Sequence, residues 1–178
     1  MTGDVRALTT RSPASTVASA RAMAQTLALF FVTGGVAALL AAAGGTDHVG
    51  RRAVVACAGL LAVTVGSALA VGRIALPRVV LGGLVTVGAS LISLVVFASP
   101  DPTTAAICGS ISAFVGVMAC FFADLRVAVA HVVTAVGGTS AALLLRGDAS
   151  PTAAASLAVV VVTLAFVTRI LVLRASDA

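Results

Sequence analysis

Six apolar runs, each about twenty residues long and divided by short polar breaks, limit what this chain can fold into. They lie at about 22–43, 53–72, 79–98, 104–123, 127–145 and 153–173. About 20 consecutive apolar residues wound as a helix cross about 30 Å of hydrocarbon. An open sheet cannot do this, because its edges would leave backbone groups unsatisfied in lipid. The expected fold class is therefore all-α integral membrane, a six-transmembrane-helix bundle. The breaks are legible too. Ser99-Pro100-Asp101-Pro102 and Arg146-Gly147-Asp148-Ala149-Ser150-Pro151 resist helix continuation. Gly44-Gly45-Thr46-Asp47-His48, Gly72-Arg73 with Leu76-Pro77-Arg78, and the tight reversal Asp124-Leu125-Arg126 complete the set. Such short connections make successive helices antiparallel neighbours.

Composition agrees with the pattern. The chain is 60% hydrophobic and 10% charged, with a mean hydropathy of +1.18. Soluble domains are about 25% charged, enough to build a polar shell. A soluble enzyme, a free nucleic-acid-binding domain and a disordered chain are thereby excluded. All 11 basic residues are Arg and all 6 acids are Asp, and Trp and Tyr are absent. This bias points to a high-GC bacterial genome, and so to a bacterial cytoplasmic membrane.

Residues 1–21 read as a polar cytoplasmic tail, 22–174 as the membrane domain and 175–178 as a second short tail. The first run has about 22 apolar residues, more than the 7–15 of a secretory leader core, so it reads as a retained span. Arginine placement sets the orientation. With the N-terminus inside, Arg6, Arg11, Arg21, Arg73, Arg78, Arg126, Arg169 and Arg174 lie on the inner side, and Arg51, Arg52 and Arg146 on the outer. Both termini are then cytoplasmic. Of the inner set, Arg21, Arg73, Arg78, Arg126, Arg169 and Arg174 are the expected membrane-interface anchors. Arg169 can snorkel to the interface, and the last helix can run on into the cytoplasm. The net charge of +5 is spread over segment ends with no run beyond Arg51-Arg52. It reads as lipid anchoring, with no nucleic-acid partner.

Little in the interior can do chemistry. No Asp falls at mid-membrane depth, whereas ion-coupled carriers place carboxylates or His within the bundle. Paired carboxylates for acid–base work are missing as well. No serine sits in a nucleophile elbow with a His/Asp pair, so no catalytic residue is expected. Cys57, Cys108 and Cys120 lie in apolar runs without metal-ligand spacing. No metal, cofactor or disulfide is expected. Asp47 and His48 read as a solvated loop. The glycine pairs Gly34-Gly35, Gly82-Gly83 and Gly137-Gly138 lie within spans and are not phosphate loops.

His131 is the exception. It follows Arg126 by five residues, about 7.5 Å of helical rise, in the shallow inner part of the fifth run. An intramembrane ionisable residue is a functional candidate. Imidazole titrates near neutrality, so His131 is the candidate switch, against the plainer reading of a neutral ring bonded to a neighbouring helix. Small residues at four-residue spacing mark faces for close helix approach. These are Ser112, Gly116 and Cys120 on the fourth run, and Ala130, Thr134, Gly138 and Ala142 on the fifth.

Leu76-Pro77-Arg78 opens a Gly-rich helix containing Leu91-Ile92-Ser93. Phe121-Phe122 then comes shortly before Arg126 and His131. This order resembles the six-helix N-terminal membrane region of actinobacterial diguanylate cyclases of the GGDEF type, over roughly residues 20–174. The resemblance implies a sensor and dimerisation module whose last helix, from Arg169 to Arg174, leads toward an output domain. The chain contains no GGDEF sequence, so no cyclase residues carry over. A stand-alone relative or a remnant of such a module is implied. The expected function is a non-enzymatic sensory or regulatory membrane module, pairing with itself or with a signalling partner. The alternative is a small transporter or channel for an uncharged or apolar solute.

Overall fold

The computed structural model describes residues 13–44, 49–72, 76–99, 101–123, 125–147 and 150–176. Side chains are described between residues 20 and 172, Arg78 excepted. Arg6, Arg11, Asp47, His48, Arg73, Asp124 and Asp148 lie outside the described residues, as do the side chains of Arg78 and Arg174. The helices are α1 (Pro13–Gly44), α2 (Val49–Val71), α3 (Arg78–Ala98), α4 (Pro102–Ser110), α5 (Ser112–Phe122), α6 (Leu125–Arg146) and α7 (Pro151–Ser176). Six spans are long and apolar enough to cross a membrane: Ala20–Gly44, Val49–Val71, Val79–Ala98, Pro102–Phe122, Leu125–Arg146 and Pro151–Val172. The chain is thus a multi-pass, all-helical membrane protein among its described residues.

Three boundaries differ from expectation. α1 begins at Pro13, inside the stretch read as a tail. Pro is pre-organised for the first helical turn, and the alanines that follow favour the helix. α2 begins at Val49, so Arg51 and Arg52 belong to its first turn rather than to a loop. The fourth span is two helices meeting at Ile111. There Ile111 N–H reaches back only to Cys108 O, at 3.2 Å, and Phe114 N–H to Ile111 O, at 3.0 Å. Gly109-Ser110 precedes the joint, and Ser110 Oγ donates to Ile107 O at 2.6 Å. A Gly/Ser pair is a common cause of such a kink.

The α1 start, α3 start, α5 end, α6 start and α7 end form one end of the bundle, called here the lower end. α1 pairs with α2, α3 lies between that pair and α6, and α5, α6 and α7 pack together. Burial is the reverse of a soluble domain. Ala dominates the core, while Leu29, Leu40, Val79 and Leu145 are each at least 65% exposed. Small residues inside and large ones outside suit a bundle held by close backbone packing in lipid. Gly147 ends α6 at φ +75°, a left-handed cap that glycine adopts without steric penalty. At the same upper end Asp101 caps α4. Its carboxylate accepts from Thr104 N at 2.8 Å and Thr104 Oγ1 at 2.6 Å. These bonds, the side-chain one first, hold the Asp101 carboxyl below the usual range.

Candidate functional site

α3 and α6 run parallel, and their contact carries most of the polar side-chain chemistry of the bundle. At its lower end Thr86 Oγ1 lies 3.3 Å from His131 Nδ1. Seven residues further along each helix, a Cβ on Gly138 would come within 2.7 Å of Ser93 Oγ. Seven-residue spacing on both helices is the repeat of left-handed parallel packing. At the upper end Arg146 Nη1 donates to Val96 O at 3.0 Å and to Ser99 O. The seam therefore has an imidazole–hydroxyl contact below, a glycine against a serine in the middle, and a guanidinium over the last carbonyls of α3 above.

The lower part opens into a recess of about 480 Å³, lined by Met23 of α1, Gly82, Gly83 and Thr86 of α3, Phe122 of α5 and His131 of α6, among others. This volume lies within the range of about 300–1,000 Å³ typical of small-ligand sites. Gly82 lies beside the imidazole, since a Cβ there would sit in van der Waals contact, 3.9 Å from His131 Nε2. A Cβ on Gly83 would meet nothing within 4 Å. The walls are largely apolar, and the imidazole of His131 and the hydroxyl of Thr86 are the side-chain hydrogen-bonding groups among the lining residues. By contrast, the void between α1, α2, α3 and α4 is only about 40 Å³ and lined by Phe, Gly, Ala, Leu, Ile, Val and Cys residues.

The arginines divide into two groups. Arg52 Nε donates to Ala42 O at 2.9 Å. Arg169 Nη1 donates to Cys120 O at 3.2 Å and Ala123 O at 3.5 Å. With Arg146, they cover the carbonyl ends of α1, α5 and α3. The last carbonyls of a helix have no partner within it and carry its negative dipole end, so cations bind there. Arg169 thus turns inward to a neighbouring helix end. Arg21 and Arg126 are exposed at the lower end and make no hydrogen bond or ion pair among the described residues.

The small-residue faces are only partly as expected. Ser112, Gly116 and Cys120 are all buried, and a Cβ on Gly116 would lie 3.4 Å from Ala165 of α7. On α6 the face splits. Gly138 meets α3 and Ala142 is buried, but Ala130 and Thr134 are exposed. Thr134 Oγ1 donates to Ala130 O of its own helix at 2.8 Å. Each four-residue step turns about 40° past a full circle, so the stripe rotates out of the contact. The buried series is Ala128, Ala135, Thr139 and Ala142. Most other hydroxyls bond a carbonyl one turn back on their own helix, as Thr26, Thr33, Thr64, Ser90 and Ser93 do. The hydroxyls of Ser112, Thr139 and Ser140 are buried without a partner.

No protein-family model, curated protein or solved structure matches the chain. The site therefore stands on its geometry.

Two features escaped the sequence reading. Arg52 and Arg146 were read only as outer-side charge, although each caps the carbonyl end of another helix, which no local pattern signals. Gly35, Gly59 and Gly66 form the closest backbone contact in the bundle. A Cβ on Gly35 would stand 2.7 Å from Gly59 O, and one on Gly66 2.8 Å from Ala28 O. The seven-residue spacing from Gly59 to Gly66 was the available signal.

Proposed function

We propose that the chain is a non-enzymatic sensory or regulatory membrane module, with the α3–α6 seam as its moving part and the His131 recess as its input. The observation that carries this reading is the contrast between a small apolar void of about 40 Å³ at the bundle centre and a recess of about 480 Å³ at one end of a polar seam. A solute carrier needs polar groups around a water-accessible cavity near the midplane, and the central void is small and apolar. The resemblance to the membrane region of GGDEF-type cyclases points the same way. A homodimer or a membrane signalling protein is the expected partner.

We place the lower end in the cytoplasm of a bacterial inner membrane. Two of the three arginines that oppose this orientation, Arg52 and Arg146, are committed to helix carbonyls. Their position is thus set by capping. A fluorescent reporter inactive in the periplasm, fused to the C-terminus, is expected to glow. A dark but well-expressed fusion refutes the orientation.

The switch has a direct test. Protonation places a cation on His131 beside Thr86 of α3. Arg126 on its own helix, Arg21 on α1 and Arg169 on α7 surround the same end. In the sequence Asp124, between α5 and α6, is the one acid between the start of α1 and the end of α7 that falls at this end, so the arginines outnumber it. The added charge is repelled and poorly solvated, which favours moving α6 away from α3. Spin labels at the exposed positions Val80 and Val129 are expected to report a distance change of about 1–2 Å between about pH 8 and about pH 5. His131→Asn is expected to abolish the change. An unchanged distance in the parent, or a response that survives in the Asn variant, removes the switch.

A further inference from the structure

We infer that the His131 recess binds an anionic phospholipid, with an acyl chain against its apolar walls and its phosphate at Arg126. This deepens the proposed function by naming the ligand class, and it rests on the recess being the input of the module. The walls supply hydrophobic contact from α1, α3, α5 and α6, and the missing side chains of Gly82 and Gly83 open the space. Arg126 directly precedes Val127, which lines the recess. Its guanidinium is exposed. It is not used in capping a helix, unlike Arg52, Arg146 and Arg169. Charge complementarity decides the occupant. The helix ends that meet here carry Arg21, Arg78, Arg126, Arg169 and Arg174 in the sequence against Asp124 and Asp177, so an anionic headgroup is attracted and a zwitterionic one gains less. Basic pockets between spanning helices are established sites for anionic headgroups.

The test uses the full chain purified in detergent and titrated with phosphatidylglycerol or phosphatidylcholine, with bound lipid counted by native mass spectrometry. Phosphatidylglycerol is expected to bind about tenfold more tightly, and Arg126→Gln to weaken it about fivefold. Gly83→Leu fills open space in the recess and is expected to weaken phosphatidylglycerol binding by about tenfold or more. Gly137→Leu also enters open space, but away from the recess, and is expected to leave binding unchanged. Should Gly83→Leu lose its monodisperse gel-filtration peak, Val79→Trp fills the same recess from an exposed position. Equal affinity for the two lipids overturns the inference. So does binding that ignores both recess-filling variants, which places the lipid elsewhere, or full displacement by inorganic phosphate, which reduces the site to an anion contact. None of these results touches the pH response of the α3–α6 distance. Failure of the lipid site is therefore distinguishable from failure of the sensory reading.

Discussion

Replacing Arg146 with Leu is expected to destabilise the protein by about 2–4 kcal/mol, among the largest effects of any single side-chain truncation in this chain. The guanidinium donates to two carbonyls at the end of α3, Val96 O and Ser99 O. Val96 and Ser99 are completely buried, so water cannot take over those acceptors. A hydrogen bond to a charged group contributes about 1.5–3 kcal/mol, and stranding a buried acceptor adds a desolvation penalty. Arg146→Lys keeps the charge but loses the planar fork, so an intermediate loss is expected. Arg51→Leu is the control. Arg51 is exposed, and its replacement is expected to change stability by no more than about 0.5 kcal/mol. The measurement is reversible unfolding in mixed micelles. Equal behaviour of the Arg51 and Arg146 variants would mean that the seam is not held at its upper end.

The same pair of arginines shows where sequence reading succeeds and where it stops. Spans could be read because crossing a bilayer demands a one-dimensional property, a run of about 20 apolar residues. All six were visible without knowing which helix touches which. Arg146 was visible as a charge at a segment end. Its role depends on α6 lying parallel to α3, a fact separated by about fifty residues of chain and absent from any local pattern. His131 was found because an ionisable group within a span is costly, and cost is legible locally. Its partner Thr86 was not, since threonines in these helices mostly turn back on their own backbone. The stripe of Ala130, Thr134, Gly138 and Ala142 failed for a geometric reason. Four-residue spacing approximates a helical turn over two steps and drifts off the contact over three. A seven-residue reading would have selected Ala128, Ala135 and Ala142, which are buried.

Neighbouring glycines on α1 provide the sharpest internal comparison. Gly35→Ala is expected to destabilise the protein by about 2–3 kcal/mol relative to Gly34→Ala. Both changes remove a flexible glycine from the middle of one helix, so both gain the same helix propensity, about 0.5–1 kcal/mol. That gain cancels in the comparison. What differs is the space. A Cβ on Gly34 meets nothing within 4 Å, whereas one on Gly35 stands 2.7 Å from Gly59 O and 2.9 Å from Val63 N. Those atoms are backbone and cannot rotate aside, so the two helices must separate. Gly59 faces the same constraint from the other side, at 2.9 Å from Gly35 O. Once either alanine has pushed the helices apart, the second costs little. The double variant Gly35→Ala/Gly59→Ala is therefore expected to be less destabilised than the sum of the singles, by about 1 kcal/mol or more. Unfolding midpoints of the four proteins decide it. In lipid there is no hydrophobic effect between helices to restore the contact, so association depends on dispersion at close range. Among the described residues α2 packs on α1 and α3 alone, so loosening this one crossing is expected to release α2 first, leaving the α3–α6 seam and its recess in place.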